Sequence, residues 1–267
     1  MNPRIAVIGG TGICDPSLLA NAREIVTDTP YGATKVYVGN WEDTEVTFLP
    51  RHGSTKAGEK AQHHLPPHKI NYQANIWALK ELGIDRIIGT AATGSLNPKM
   101  KPGSFVLLTQ FMDFTKSRQT TFYDEGTVYH LDMTEPYCPE IRKALLQSVQ
   151  EESESCHPSA TYVCTEGPRF ETPAEIKAFK MLGGDLAGMT NVPEVVLAKE
   201  LEICYASIAI VTNMAAGITE EKLRATEVED MMKIIMPKLT SILKKSLDKI
   251  PAVRNCLCKD ALKEAKA

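Results

Sequence analysis

The segment that organises the chain reads Thr-Glu-Gly-Pro-Arg-Phe-Glu-Thr at residues 165–172 and continues to Glu200. The Gly167-Pro168 pair ends the apolar run before it, because glycine and proline interrupt regular structure. This break leaves Phe170, a flat aromatic ring, beside Glu171, whose ionised carboxylate only accepts hydrogen bonds. A ring and a carboxylate side by side suit a planar heterocycle that carries N–H donors.

The same segment also has the pattern of a helix start. Thr172 fits the N-cap position, Pro173 the first helical position and Glu175 the third position of a capping box. This interpretation accounts for the residues from the cap onward. It gives Phe170 and Glu171 no structural role, so we keep a ligand-binding role for both.

Apolar runs that recur on either side of this segment predict buried strands. The runs lie at residues 4–9, 35–39, 45–49, 86–95, 105–114, 160–165 and 203–212. Helical spacing follows residue 172 and recurs at 71–82, 139–150, 194–200 and 220–247. We predict a hairpin turn at Gly39-Asn40 and a small-residue turn at 91–95. The pattern indicates one α/β domain over residues 1–250, with a mixed, twisted central sheet flanked by helices, and a polar tail at 251–267.

The bulk composition excludes several classes of protein. The chain has 267 residues, 43% of them hydrophobic, and a formal net charge of −3. The hydrophobic fraction is ample for a core. The net charge shows no basic excess, so nucleic acid is not expected as the main partner. We expect no signal peptide, and no apolar run is long enough to span a membrane. The seven cysteines are odd in number and mostly scattered, which is typical of a reduced compartment, so we expect a cytoplasmic protein.

Two glycine-containing segments after predicted strands are candidate anion sites. Gly9-Gly10-Thr11-Gly12 forms a tight turn whose backbone N–H groups could face an anion. A dinucleotide-binding fingerprint is the alternative, but it needs a third glycine where this chain has Asp15. Pro50 ends another strand and is expected to leave Arg51-His52-Gly53 exposed. Arginine offers phosphate two parallel N–H donors, although an isolated Arg-His pair is often only a surface feature.

The candidate metal ligands are weak. His64 and His68 are four residues apart, but Pro66 and Pro67 forbid the helix that would bring them together. Cys256-Leu-Cys258 near the end of the chain could form a strained disulfide or bind metal, yet two ligands make a poor metal site. We therefore expect no metal.

Eight short blocks along the chain match one known family. They lie at residues 8–12, 51–53, 71–79, 94–96, 122–124, 135–136, 166–170 and 192–200. With these blocks the chain resembles the trimeric purine nucleoside phosphorylases, and most of all their methylthioadenosine phosphorylase branch. The resemblance implies that inorganic phosphate cleaves a purine nucleoside to free purine and ribose 1-phosphate, without an organic cofactor. It also implies a homotrimer or a dimer of trimers.

The resemblance assigns roles to individual residues. Phosphate binding falls to Thr11, Arg51, His52, Ala91, Ala92 and Thr190. Nucleoside binding falls to Phe170, Glu171, Met189, Asn213, Ala215, Ala225 and His130, with Asn213 and Glu171 as the catalytic pair. His130 would belong to a loop that reaches into the neighbouring subunit's ribose pocket. The family more often carries threonine where this chain has Ala91.

The base pocket departs from the methylthioadenosine branch. That branch carries Asp-x-Asp where this chain has Asn213-Met214-Ala215, and usually serine where it has Glu171. Asparagine and glutamate at these positions resemble the branch that cleaves inosine and guanosine. The N1–H of a 6-oxopurine can donate to a carboxylate, whereas adenine N1 is an acceptor. We therefore predict 6-oxopurine nucleosides as substrates.

Other functions remain open at this point. Methylthioinosine is a further substrate candidate, because a small residue such as Ala225 near the 5′ end would tolerate a methylthio group. Within the family the alternative is cleavage of 5′-methylthioadenosine. Outside it the alternatives are a dinucleotide-dependent oxidoreductase and a purine-binding protein without catalysis.

Overall fold

The structure, a computed structural model, describes residues 3–10, 15–53, 65–152, 154–220 and 222–267. Within these residues eleven strands form one mixed sheet. The strands are Ile5–Gly9 (β1), Ala20–Thr29 (β2), Gly32–Trp41 (β3), Thr44–Pro50 (β4), Arg86–Ser95 (β5), Phe105–Leu107 (β6), Gln110–Phe114 (β7), Cys156–His157 (β8), Thr161–Thr165 (β9), Leu186–Gly188 (β10) and Cys204–Met214 (β11). The helices are Tyr72–Glu81 (α1), Pro139–Glu151 (α2), Pro173–Met181 (α3), Asn191–Glu200 (α4) and Ala225–Leu247 (α5). Short 3-10 turns occupy Pro16–Leu18, Pro67–Lys69 and Leu257–Asp260.

Four neighbouring strands in the middle of the sheet are parallel, in the order β4, β1, β5, β11. Their carboxyl ends therefore meet at one edge, which is where open α/β sheets bind ligands. Strand β10 runs antiparallel to β5 and begins opposite its last residues, Gly94 and Ser95. It also pairs in parallel with β9, so the end of β9 is brought to the same region.

The core lies on both faces of this sheet, because successive side chains of a strand point in opposite directions. Val7 packs with α2 and α5 on one face. Its neighbour Ile8 packs with α1 and α4 on the other. Burial on both faces explains why the central strands read as continuous apolar runs. The predicted α/β fold with a mixed central sheet is confirmed.

Several predicted boundaries were wrong. Strand β2 was missed because it is polar and mostly exposed, so it has no apolar run. The β3–β4 turn lies at Glu42 and Asp43 rather than at Gly39-Asn40, with Glu42 at a φ of 57°. Residues 105–114 form two strands instead of one, and residues 91–95 stay within β5 instead of forming a turn.

The tail at 251–267 packs onto the domain. Arg86 Nη2 donates to the carbonyl of Pro251 at 3.1 Å, and Cys256 is buried in the core. An isolated bridge joins Tyr129 to Lys266, which links the tail to the irregular segment 115–135. The proposed division at residue 250 stays a prediction. No helix among the described residues has both the length and the apolarity to cross a membrane.

Candidate active site

The predicted phosphate-binding residues lie at the carboxyl ends of the central strands. Gly9 and Pro50 end β1 and β4 side by side, and the N–H of Arg51 donates to the Gly9 carbonyl at 2.9 Å. Arg51 and His52 therefore lie beside the end of β1. Thr11, which was predicted to contact phosphate from that turn, lies outside the described residues.

Arg51 is buried, so the expectation of an exposed arginine at the strand end was wrong. Its Nε and Nη2 donate to the two carboxylate oxygens of Glu194 at 2.6 and 2.7 Å. Its Nη1 donates to the Thr90 carbonyl at 2.9 Å, and Nη2 also reaches the Ile8 carbonyl at 3.4 Å. These bonds use four of the five N–H groups of the guanidinium. Arg51 can offer an anion one N–H, not the two parallel donors that we predicted.

Glu194 accepts those hydrogen bonds, and no local sequence pattern predicted this role. Its side chain is 1% exposed, and it also accepts from the hydroxyl of Tyr205 at 2.6 Å. Burial acts to lower the pKa of Arg51, but the Glu194 carboxylate outweighs this and raises that pKa above its usual value. The pair is neutral as a unit, so it brings no net positive charge to a phosphate.

His52 is buried and oriented by the backbone. Its Nδ1 lies 2.8 Å from the carbonyl of Leu65, and the N–H of Leu65 donates to the His52 carbonyl at 3.2 Å. Because a carbonyl only accepts, Nδ1 carries the proton in this contact. The two contacts hold the imidazole next to Arg51 at the strand edge.

The remaining phosphate candidates lie along β5 and just after β10. Ala92 is exposed within a strand whose neighbouring residues, including Ala91, are buried. The antiparallel pairing of β10 with the end of β5 directs Met189 and Thr190 back along that strand. The N–H of Thr190 donates to the hydroxyl of Tyr162 at 3.2 Å. The fold thus brings the described phosphate candidates to one edge of the sheet.

Asn213 lies opposite Gly94, after a bulge that follows Val211 in β11. Its Oδ1 accepts from the hydroxyl of Thr212 at 2.8 Å, and its Nδ2 donates to the carbonyl of Met214 at 2.9 Å. These bonds settle which way the amide points, because the carbonyl partner requires a donor. The second N–H of Nδ2 is the group that a purine nitrogen could accept from.

Small residues keep the space beside Asn213 open. A Cβ atom on Gly94 would lie 3.4 Å from Nδ2 of Asn213 and 3.5 Å from Ala215. Ala215 itself is 4% exposed and packs with the apolar side chains beneath α3. A carboxylate at position 215 would therefore be buried, which is costly without a partner.

Glu171 is half-buried and held by a residue that the sequence analysis missed. Its Oε1 accepts from the hydroxyl of Thr165, the last residue of β9, at 2.6 Å. That hydroxyl also lies 3.4 Å from the carbonyl of Gly188, the last residue of β10. The carboxylate is thus tied to the ends of two strands. Phe170 beside it is 40% exposed.

The loop that carries Phe170 and Glu171 packs on Met189 and is held by hydrogen bonds from Arg118. A Cβ atom on Gly167, whose φ is 64°, would lie 2.6 Å from Sδ of Met189, so the loop packs directly on that methionine. The buried Arg118 donates to the carbonyls of Thr165 at 3.1 Å and Glu166 at 2.9 Å through Nη2. Arg118 was missed because it lies in the irregular segment 115–135, where no pattern marks one polar residue over another.

The Glu171 loop and the end of β11 face each other. Gly217, which follows Asn213 on the chain, approaches Pro173 so closely that a Cβ atom on the glycine would lie 2.7 Å from that of the proline. The predicted capping box also forms: Thr172 caps α3, and Glu175 bonds back to the N–H of Thr172. The helix start and the ligand loop are therefore the same structure.

Two predicted nucleoside contacts, His130 and Ala225, are not tested by the contacts of this site. His130 is exposed, and its N–H donates to the carbonyl of Ala265 in the C-terminal tail at 2.7 Å. Ala225 is the first residue of α5. Among the described residues, no hydrogen bond joins either of them to Phe170, Glu171 or Asn213. Their roles stay predictions.

Comparison with known proteins places these features in context. The family model described as the phosphorylase superfamily matches residues 4–248. The 6-oxopurine nucleoside phosphorylase of Pyrococcus furiosus is 53% identical over 271 residues, covering 98% of this chain and 99% of that protein. The "Probable S-methyl-5′-thioinosine phosphorylase" of Methanopyrus kandleri is 48% identical over 262 residues, covering 98% of each. The structure of methylthioadenosine phosphorylase from Schistosoma mansoni in complex with adenine has a TM-score of 0.89 and 34% identity, covering 98% of this chain and 96% of that one.

Proposed function

The chain belongs to the phosphorylase superfamily, and we propose that it cleaves 6-oxopurine nucleosides such as inosine and guanosine with inorganic phosphate. An oxygen of phosphate attacks C1′ of the ribose as the bond from C1′ to the purine nitrogen breaks. The bonding electrons leave with the purine, and the proton that hydrogen phosphate loses on forming the ester balances the proton that the purine takes up. The products are the free purine and ribose 1-phosphate.

The observation that carries the choice of base is the Thr165–Glu171 hydrogen bond. It holds an acceptor at the edge of the pocket, and that acceptor would meet the N1–H of hypoxanthine or guanine. Adenine would instead present the lone pair of N1 to a carboxylate. A site built to bind an N–H group can reject an analogue without it by about 10⁴-fold.

Asn213 supports the same choice. Its second N–H can donate to N7 of the purine, where negative charge develops as the base departs. Asn213 is neutral, so it stabilises that charge without supplying a proton. The positively charged sugar is stabilised by the attacking phosphate itself. Phosphate would be held by backbone N–H groups, His52, Thr190 and the remaining N–H of Arg51, with no metal or organic cofactor required by this scheme.

Methylthioinosine is a second candidate substrate. The similarity to the Methanopyrus relative favours it, as does the small Ala225 that the family resemblance places near the 5′ end. Cleavage of 5′-methylthioadenosine is disfavoured, because Asn213 and the buried Ala215 replace the two acids of that branch. A dinucleotide-dependent oxidoreductase would need the third glycine that Asp15 replaces.

We further propose a homotrimer or a dimer of trimers that works in purine salvage in the cytoplasm. The family resemblance supports the trimer. The long irregular segment 115–135 is consistent with it, since such segments inside a compact domain are usually functional. In this assembly His130 completes the ribose pocket of a neighbour.

A substrate panel tests the proposal. Inosine, guanosine, adenosine, methylthioinosine and methylthioadenosine are each incubated with the enzyme in phosphate buffer and in phosphate-free buffer. We expect the 6-oxopurine nucleosides to be cleaved fastest, and only when phosphate is present. Inosine and guanosine should give ribose 1-phosphate, and methylthioinosine should give methylthioribose 1-phosphate. Equal cleavage without phosphate would exclude a phosphorylase. Faster cleavage of methylthioadenosine than of every 6-oxopurine nucleoside would exclude the proposed base preference.

A further inference from the structure

Four cysteines that are far apart in the sequence meet at the base of the sheet. Cys138 precedes α2, Cys204 begins β11, and Cys256 and Cys258 lie in the C-terminal tail. Their sulfur atoms all lie within 4.8 Å of one another. The sulfur of Cys256 is 3.4 Å from that of Cys204 and 3.7 Å from that of Cys138. The scattered spacing of the cysteines did not predict this cluster, which gives the Cys256–Cys258 pair two further possible ligands.

The spacing is that of a metal cage rather than of disulfides. A tetrahedral zinc ion with Zn–S bonds of about 2.3 Å places its sulfur atoms about 3.8 Å apart. A disulfide needs its two sulfur atoms about 2.05 Å apart. Four thiolates at tetrahedral spacing select zinc or another soft metal over magnesium or calcium. With four protein ligands such a site is closed and structural.

The thiols of the cluster also interact with one another. The sulfur atoms of Cys138 and Cys204 both lie within hydrogen-bond distance of the sulfur of Cys256. The thiolate is the form that binds metal. Binding of Zn²⁺ would release the protons that the thiols still carry.

A buried cation lies beside the cluster. Arg86 pairs with Cys204 in the parallel register of β5 and β11, and its side chain is 0% exposed. It contacts the carbonyl of Pro251 at the start of the tail, and its Nε has no hydrogen-bond partner among the described residues. Arg86 already pairs with the Asp85 carboxylate through Nη1 at 2.9 Å, so its guanidinium would offset only part of the net charge of −2 that Zn²⁺ with four thiolates carries.

We propose that Cys138, Cys204, Cys256 and Cys258 bind one Zn²⁺ ion that fastens the C-terminal tail to the domain. The ion is remote from the chemistry. Cys204 begins β11 and Asn213 lies near its other end, roughly 30 Å away at about 3.3 Å per residue. The tail in turn bonds to Tyr129 and His130 through Lys266 and Ala265. Fastening it therefore supports the segment that carries His130.

Metal analysis of the full-length protein tests this. The protein is purified without a histidine tag, exchanged into metal-free buffer and analysed by inductively coupled plasma mass spectrometry. We expect about one zinc per chain. Cys204→Ser and Cys258→Ser should each lose most of it, whereas Cys156→Ser, which removes a thiol outside the cluster, should keep it. Replacement of zinc by Co²⁺ should give the visible bands of tetrahedral thiolate cobalt in the native protein and not in Cys258→Ser.

If the variants fail to fold, the state of the thiols in the native protein still tests the proposed zinc site. Thiol alkylation followed by intact-mass measurement, without reductant, should find all seven cysteines reduced once the metal is removed. A metal-free native protein whose mass is lowered by the hydrogens lost to disulfides would overturn the proposal. Stoichiometric iron or copper in place of zinc would also overturn it.

Discussion

Nε and Nη2 of Arg51 donate to the two carboxylate oxygens of Glu194 at 2.6 and 2.7 Å, with both side chains almost fully buried. The pair joins the end of β4 to α4, across the edge of the sheet where phosphate is proposed to bind. Removing either partner would leave the other buried and uncompensated, which typically costs about 3–5 kcal/mol. The pair therefore links folding to phosphate binding.

We predict that Glu194→Gln lowers the free energy of unfolding by roughly 3 kcal/mol and raises the KM for phosphate. The amide keeps the shape of the carboxylate but loses its charge. Arg51→Ala should do both as well, with a loss of about 1.5–3 kcal/mol in phosphate binding. Urea unfolding at fixed protein concentration and phosphate kinetics measure the two effects.

The double variant Arg51→Met/Glu194→Leu separates the effect on stability from the effect on phosphate binding. Replacing both charges with apolar groups should recover stability relative to either single variant, because no buried charge is left alone. Phosphate binding should not recover, since the last N–H of Arg51 is gone. A Glu194→Gln protein as stable as the native one would show that the pair carries no such coupling.

The Thr165 hydroxyl should act as a positioning group for Glu171. Thr165→Val keeps the shape of the side chain and removes the 2.6 Å hydrogen bond. We expect kcat/KM for inosine to fall about 10-fold, since a bond to a charged group is worth roughly 1.5–3 kcal/mol. Adenosine does not donate N1–H to the Glu171 carboxylate, so kcat/KM for adenosine should change little. The preference for inosine over adenosine should therefore become smaller.

Thr109→Val is the matched control, because its hydroxyl donates to the carbonyl of Ala160 at 3.2 Å, away from the Glu171 loop. It should leave the preference between inosine and adenosine unchanged. If Thr165→Val lowers kcat/KM for inosine and for adenosine by the same factor, as a loss of folded protein would, Thr165 contributes to stability only.

Asn213→Asp should shift the enzyme toward adenine nucleosides. A carboxyl group at this position can supply a proton to N7 and accept from the 6-amino group, which the amide cannot. We expect the ratio of methylthioadenosine to inosine cleavage to rise about 10-fold or more, in line with the value of one hydrogen bond to a charged group. Steady-state kinetics on both nucleosides measure the ratio.

Ala215→Asp alone should mostly destabilise, because Ala215 is buried among apolar side chains. It restores the second acid of the adenine-cleaving branch without the first, so it shows whether a carboxylate at the second position alone shifts the substrate ratio. An unchanged substrate ratio in Asn213→Asp would mean that this position does not choose the base.

The sequence predicted those parts of the molecule whose causes are local. Central strands such as β5 are apolar because both faces are covered, and the Thr172 capping box uses residues three apart. Contacts between distant residues could not be predicted. Arg51 and Glu194 are 143 residues apart, and nothing in either local pattern marks them as partners. The same limit hid the cysteine cluster, in which Cys138 and Cys256 are 118 residues apart.

The Arg169–Glu175 pair should give stability a weak dependence on acid. Hydrogen bonds from Arg169, at 2.8 and 2.9 Å, lower the pKa of Glu175 to about 2 from its usual 4.5. The ionised form therefore stabilises the fold above pH 4.5, and this contribution is lost as the pH falls toward 2. The side chain is partly exposed, so the effect should stay below about 1 kcal/mol.

Glu175→Gln tests this. The native protein should be more stable than the variant at pH 7, and the difference should shrink as the pH falls below 4.5. Thermal unfolding from neutral pH to pH 3 follows it. Glu45→Gln is the control. The Glu45 carboxylate lies 4.0 Å from Arg23 in an exposed pair, so this substitution should change stability little at any pH. A difference that stays constant over the whole range would contradict the assignment.

His130 should act in the active site of a neighbouring subunit, not in its own. It is exposed, and its backbone is bonded to Ala265 in the tail. His130→Ala and Glu171→Ala should therefore each lose most activity as pure oligomers. When the two variants are unfolded, mixed in equal amounts and refolded together, random pairing gives about one quarter of the sites an intact Glu171 and a neighbour's intact His130. Activity should return to that level, while each variant refolded alone stays inactive.

Light scattering on the same samples gives the assembly size. An active monomer, or mixed oligomers that recover nothing, would show that His130 does not complete a neighbour's pocket.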